Sequence, residues 1–117
     1  MIIVFKPHGT SKADIDLTLK IEKYLFDNPN VKAISVKSGI VDIDISYIFP
    51  IPKLTTGESL KILGQGNAYV ILANLIFLFE QDVPFIIKKD YFNLSGYSIQ
   101  QTYMILEELF GKDIWEV

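Results

Sequence analysis

The sequence VKAISVKSGIVDIDISYIF, residues 31–49, contains two stretches rich in β-branched residues on either side of Ser38-Gly39. Glycine readily adopts the positive φ that a tight hairpin turn requires. In the second stretch, apolar side chains alternate with Asp42, Asp44 and a serine, which is the pattern of a strand with one face in water. We therefore predict a β-hairpin here and, with it, a mostly antiparallel sheet.

Two shorter apolar runs predict further strands. Ile2–Phe5 is followed by a Lys-Pro-His-Gly turn sequence and predicts the first strand. Phe85–Ile87 follows Val83-Pro84, where proline ends the preceding helical pattern, and predicts the last strand.

Capping residues predict three long helices. A side-chain oxygen at the start of a helix accepts a hydrogen bond from an otherwise unpaired backbone N–H. Ser11, Asn67 and Ser98 stand at such positions, each before apolar residues at helical spacing. Residues 15–21 also alternate with period two, so a strand remains an alternative for that part. The predicted helices run from Ser11 to about Asp27, from Ala68 to about Gln81 and from Ser98 to Gly111.

A fourth, short helix is predicted to begin at Thr55. Thr55 and Glu58 have the spacing of a capping pair, and Leu60 and Leu63 provide an apolar edge. Residues 64–67, GQGN, then separate this helix from the next. Their backbone N–H groups could hold an anion, but the third glycine of a dinucleotide fingerprint and the lysine of a phosphate loop are missing.

Together these elements predict an α+β fold with the approximate order β-α-β-β-α-α-β-α. The sheet would be mostly antiparallel and covered by helices. Since no linker, internal repeat or low-complexity segment is visible, we expect a single small domain that spans residues 1–117.

The composition limits the class of function. Half of the residues are hydrophobic, and 14 acidic against 11 basic residues give a net charge of −3. Because this charge provides no broad cationic surface for phosphates, we expect no direct binding to nucleic acid. The absence of cysteine fits a cytoplasmic protein. The longest apolar run, Ala68–Phe79, is too short to span a bilayer, so no membrane association is expected.

Two sets of residues could support chemistry. His8, the one histidine, could act as a general base oriented by Asp14 or Asp16, or bind a metal together with both, although its Pro-His-Gly context is typical of an exposed turn. Asp42 and Asp44 would lie roughly 7 Å apart on one strand face, where they could pair for catalysis, bind a cation or meet Lys and Arg of a partner. Neither set identifies a reaction, so we predict no catalytic residue, no metal site and no cofactor.

The C-terminal segment combines acidic residues with a large aromatic side chain. Glu107, Glu108, Asp113 and Glu116 surround Trp115 in the sequence. Such a mixture is typical of a protein interface, although a lone tryptophan in a small domain commonly packs into the core instead. We predict that these five residues, with the paired aspartates of residues 42 and 44, contact a protein partner.

These observations predict a non-enzymatic acidic binding protein that neutralises a basic protein partner. The leading hypothesis is an immunity or antitoxin protein that inhibits a nuclease toxin, because an acidic patch can occupy the cationic cleft with which a nuclease attracts phosphates. Two alternatives remain open. One is a small enzyme or ligand-binding domain that uses His8 and nearby carboxylates; the other is a homo-oligomeric structural protein.

Overall fold

The first strand, β1 (Ile2–Lys6), is an interior strand of the sheet in a computed structural model that describes residues 1–7, 9–37 and 53–116. Ile2 and Val4 pack against one side of the sheet, and Ile3 and Phe5 belong to the larger core on the other side. All four side chains are buried. A continuous apolar run is typical of a parallel strand whose two faces are both covered by helices.

The predicted long helices are confirmed. Each begins directly after its predicted cap: Ser11 Oγ accepts from the N–H of Asp14 at 3.2 Å, and Asn67 Oδ1 accepts from the N–H of Tyr69 at 2.8 Å. Ser98 forms a reciprocal capping box with the third residue of its helix. The helix predicted at Ser11 forms along its whole length, which excludes the alternative strand. The helices are α1 (Lys12–Asp27), α2 (Ala68–Glu80) and α3 (Ile99–Phe110).

The prediction of a mostly antiparallel sheet is wrong. In the described part of the chain the strand order is β2-β1-β3-β4-β5, and every neighbouring pair is parallel. The physical reason is the connection: each helix joins two strands that pair side by side, and a helical crossover returns the chain to the same end of the sheet. The remaining strands are β2 (Ala33–Lys37), β3 (Leu60–Asn67), β4 (Phe85–Ser95) and β5 (Trp115–Glu116), with a single 3₁₀ turn (Lys112–Ile114) before β5.

The first strand of the predicted hairpin exists as β2, but it pairs with β1. Their parallel register aligns Ile2 with Ala33 and Lys6 with Lys37. The predicted turn and second strand, which contain Asp42, lie outside the described residues.

The short helix predicted after Thr55 is wrong, because that segment is β3. Leu60 and Leu63 are buried on opposite sides of the sheet, and a short apolar run has no periodicity that separates helix from strand. Thr55 and Glu58 close a turn instead, in which Glu58 Oε1 accepts from the N–H of Thr55 at 3.0 Å. This hydrogen bond, together with the N-terminal ammonium, lowers the pKa of Glu58 against the opposing effect of burial. Among the residues that the structure describes, the order of helices and strands is therefore β-α-β-β-α-β-α-β.

Gly64 permits the close approach of β3 to β1. Its φ is +123°, and a Cβ atom at this position would collide with the backbone carbonyl of Phe5. The GQGN stretch is thus the second half of a strand rather than a loop between helices. Only glycine fits both the backbone conformation and the space.

β4 extends well beyond the predicted Phe85–Ile87, and its pairing with β3 contains a shift in register. Ile62 of β3 aligns with Ile87, but Gly64 aligns with Phe92, so residues 88–91 stand opposite a single residue of β3. Such bulges redirect side chains and are frequent beside binding sites. Here the irregular segment contains two lysines and an aspartate: Lys88, Lys89 and Asp90.

The helices cover the sheet from both sides. α1 contributes Ile21 to the smaller core, whereas α2 and α3 contribute Leu75 and Leu106 to the larger one. Because the helices run against the strands, α2 and α3 end at the edge where β4 and β5 begin, which we name the amino edge. The opposite edge is the carboxyl edge. No helix within the described ranges is long and apolar enough to cross a membrane.

Candidate functional site

Two of the predicted partner-binding residues, Glu107 and Trp115, bond to each other. Trp115 Nε1 donates to Glu107 Oε1 at 2.9 Å and so connects α3 to β5. The indole ring packs edge-on against Tyr103, with 5.1 Å between ring centroids. Both residues of the pair are half-buried, and these contacts lie within the protein.

Glu116 forms ion pairs with lysines of two neighbouring strands. Its carboxylate oxygens lie 3.3 Å from Lys61 Nζ and 3.8 Å from Lys88 Nζ. Burial lowers the pKa of Lys61, but hydrogen bonds and charge interactions with Tyr24 and Glu116 outweigh it and raise that pKa above its usual value. Glu116 therefore serves as a counter-ion across β3, β4 and β5.

The other two predicted residues of this segment, Glu108 and Asp113, are exposed. Asp113 lines a cleft of about 320 Å³ at the amino edge, together with Asp82 and Phe79. Asp82 lies in the turn after α2 with a φ of 56°, and the rest of the cleft is lined mainly by apolar side chains. Asp113 thus lines the same cleft as Asp82, a carboxylate that is distant in sequence. His8, Asp42 and Asp44 lie outside the described residues.

The ends of two helices add negative potential at the amino edge. Neither α2 nor α3 has a basic residue in its last turn, and the aligned peptide dipoles place about half a negative charge at a helix C-terminus. Lys112 is a neighbouring cation on the segment that follows α3. We name as the acidic edge the four carboxylates that surround these helix ends: Glu80, Asp82, Glu108 and Asp113.

The outward face of α2 is apolar. Over its thirteen residues, Asn74 and Glu80 are the polar ones, and Asn74 is buried with its side-chain amide donating to Val70 O at 2.8 Å. The residues on the outer side are 66, 37 and 53 % exposed, respectively, at Tyr69, Ile76 and Phe79. Their spacing places them on one side of the helix. We call these three residues the apolar face; at Phe79 it meets the acidic edge.

A helix that is apolar all round is normally buried on every side. Surface exposure of such a face is typical of a site for another protein. The sequence indicated a buried core helix here, which is correct for the inner side, where Ile71, Leu75 and Leu78 are fully buried. The signal for the outer side was the lack of any polar stripe between Tyr69 and Phe79.

Of the residues considered for a catalytic or metal site, the structure describes Asp14 and Asp16. Asp14 lies in the first turn of α1, where its carboxylate accepts a hydrogen bond from the Ser11 hydroxyl at 2.5 Å, and it also lines a cleft at the carboxyl edge. Asp16 is exposed on α1. Across the described ranges, no group of three or more His, Cys, Asp or Glu side chains is placed to hold a metal ion.

Comparisons with protein-family models, with curated proteins and with solved structures give no significant match to this chain.

Proposed function

We propose that the protein is a non-enzymatic binding protein that neutralises a basic protein partner, as an immunity or antitoxin protein neutralises a nuclease toxin in the cytoplasm. The observation that supports this function is the continuity of the apolar face of α2 with the acidic edge at Phe79. One surface thus offers both an apolar contact area and negative charge.

The two parts of this surface have different roles. Tyr and Phe side chains supply rigid contact area and are frequent among the residues that dominate binding free energy. Carboxylates around that area attract Lys and Arg of a partner, which raises the association rate and excludes acidic proteins. Inhibition would follow by occlusion, because a partner surface held against α2 is no longer accessible to its substrate.

Charge distinguishes this proposal from a homo-oligomer. Carboxylates at Asp82 and Asp113 complement a cationic surface, whereas a second copy of this acidic chain would add further carboxylates to the assembly. A self-associated species that uses the apolar face in place of a basic partner would therefore support the oligomeric alternative.

Charge reversal at the acidic edge tests the proposal. The variant Asp82→Lys/Asp113→Lys is compared with the control Asp16→Lys/Glu22→Lys, which changes the net charge equally on exposed residues of α1, across the sheet from α2. Tagged proteins are used to capture partners from source-cell extract, with elution by increasing salt. We expect the wild type and the control to capture a basic protein in stoichiometric amount, which salt elutes. The acidic-edge variant should not capture it.

The inhibitory role needs a second readout. The captured partner is expressed alone and together with each variant, and cell growth is measured. Rescue by the wild type and the control, but not by the acidic-edge variant, is the expected result; a partner that is harmless on its own contradicts neutralisation. The predicted patch at Asp42 and Asp44 enters the same assay as Asp42→Lys/Asp44→Lys, for which we expect weaker binding.

A further inference from the structure

The carboxyl edge of the sheet contains a cleft that the proposed protein interface does not use. It has a volume of about 340 Å³ and lies between the first turns of α1 and α3, with Gln65 of β3 at its wall. This volume is at the small end of the range for metabolite sites, roughly 300 to 1,000 Å³.

The topology points to the same place. From β1 the chain continues to β2 on one side, and from β3 it continues to β4 on the other, so the direction of strand order reverses between β1 and β3. In open parallel sheets, ligands bind outside the carboxyl ends of the strands at such a reversal. The cleft is lined there by Gln65 of β3 and by Ala13 and Asp14, which follow β1.

The irregularity in β4 places charged side chains in this cleft. Residues 88–91 stand opposite one residue of β3, and Lys89 and Asp90 from this segment line the cleft. The Lys89 ammonium lies 4.4 Å from the centroid of the Tyr103 ring and 5.4 Å from that of Trp115. These rings hold the lysine by cation–π contacts and leave its N–H groups able to bind a ligand oxygen.

Two of the elements that line the cleft, α1 and β4, each contribute one cation and one anion. α1 contributes Asp14 and Lys20, and β4 contributes Lys89 and Asp90. Lys20 Nζ donates to the backbone carbonyl of Asp90 at 2.8 Å, which connects the two elements. The cleft is also lined by the apolar side chains of Leu17, Phe92 and Ile99.

We propose that this cleft binds a small zwitterion of the free amino acid class. A ligand with a negative charge alone would approach two carboxylates, and one with a positive charge alone would approach two ammonium groups; each like-charge contact opposes binding. A ligand with both charges satisfies both. The carboxylate of the amino acid pairs with Lys89, its ammonium group pairs with Asp90, and its side chain contacts the apolar residues of the lining.

The amide groups at this edge favour the same class. Asn93 lines the cleft, and its Oδ1 accepts the Thr102 hydroxyl at 2.8 Å, which fixes the orientation of the amide. A fixed amide and the Tyr103 hydroxyl can bond to a ligand without adding charge. This inference does not depend on the protein-binding function, because it uses the opposite edge of the sheet.

Calorimetric titration with the individual protein amino acids tests the proposal. The strongest binder is then compared with its N-acetyl derivative, which lacks the ammonium group, and with its carboxamide, which lacks the carboxylate. We expect each derivative, and each of the variants Lys89→Met and Asp90→Asn, to bind at least about tenfold more weakly. Lys112→Met, at the amino edge, is the matched control and should bind as the wild type does.

Circular dichroism and thermal unfolding establish that each variant is folded before titration. Dissociation constants above about 1 mM for every amino acid, or an N-acetyl derivative that binds as well as its parent, would overturn the proposal. Asp82→Lys/Asp113→Lys should leave amino acid binding unchanged, so failure at one edge is distinguishable from failure at the other.

Discussion

The substitution Gly64→Ala tests the contact between β1 and β3 on which the parallel sheet depends. At a φ of +123°, an alanine adopts a backbone conformation that L-residues avoid, and its Cβ collides with the carbonyl of Phe5. The conformational part costs about 1–2 kcal/mol. The collision forces the two strands apart and adds about 1–3 kcal/mol, the usual range for overpacking.

Gly96 provides a control for the conformational part alone. Its φ is +84°, and nothing lies within 4 Å of the position of a Cβ atom. Gly96→Ala should therefore cost about 1–2 kcal/mol, and Gly64→Ala about 2–5 kcal/mol. The difference between the two variants measures the close approach of β3 to β1.

Urea unfolding, followed by circular dichroism, gives the free energy of unfolding of each variant, and the two values are compared at the same dependence on urea concentration. In thermal unfolding the same difference should appear as a midpoint lower by roughly 4 °C or more for each 1 kcal/mol. If Gly64→Ala is no more destabilising than Gly96→Ala, the two strands are not neighbours and the sheet order is wrong.

Two further predictions concern α3. Ser98→Ala removes the capping box and should lower the free energy of unfolding by about 1 kcal/mol, measured by urea unfolding, whereas an unchanged value would contradict the cap. Burial, with a contribution from the charge of Asp90, raises the pKa of Tyr103 above 10.0 in the folded state. Above pH 10.0 the Tyr103 hydroxyl loses its proton more readily in the unfolded chain than in the folded protein, so the free energy of unfolding of the wild type falls as the pH rises. In Tyr103→Phe this free energy should fall less steeply over the same pH range. Equal pH dependence of the two proteins would contradict the raised pKa.

The helices were predictable because their signals are local. Ser11, Asn67 and Ser98 each accept a hydrogen bond from a backbone N–H two or three residues away. A short window of sequence contains both partners of each bond.

The sheet was not predictable from the same kind of evidence. Strand direction depends on how distant segments pair: the Ser38-Gly39 sequence predicted an antiparallel sheet, whereas β2 pairs in parallel with β1 through the crossover α1. The continuous apolar run Ile2–Phe5 was a signal for a parallel sheet, since a strand with one wet face would alternate. Leu60–Leu63 was ambiguous because tertiary burial on both faces, rather than local propensity, makes it a strand.

The acidic edge and the apolar face also depend on contacts between segments that are distant in the sequence. The sequence indicated the exposed acids Glu108 and Asp113, but the bond from Trp115 to Glu107 and the ion pairs of Glu116 join separate elements, and their spacing in the sequence does not show this. Asp82 and Asp113 line one cleft only because the fold brings the turn after α2 close to the segment after α3. The apolar face of α2 was visible as a helix without a polar side, although its exposure depends on which strands it covers.

Site-specific photocrosslinking in the source cells tests whether the apolar face and the acidic edge bind a basic protein. A photoreactive phenylalanine analogue replaces Ile76 on α2, and a control protein carries it at Leu19, which is also exposed but lies on α1. We expect a single crosslinked product from position 76 that contains a basic protein, none of it from position 19, and its loss on adding Asp82→Lys/Asp113→Lys. Crosslinking only to a second copy of the chain, or equally from both positions, would contradict such binding.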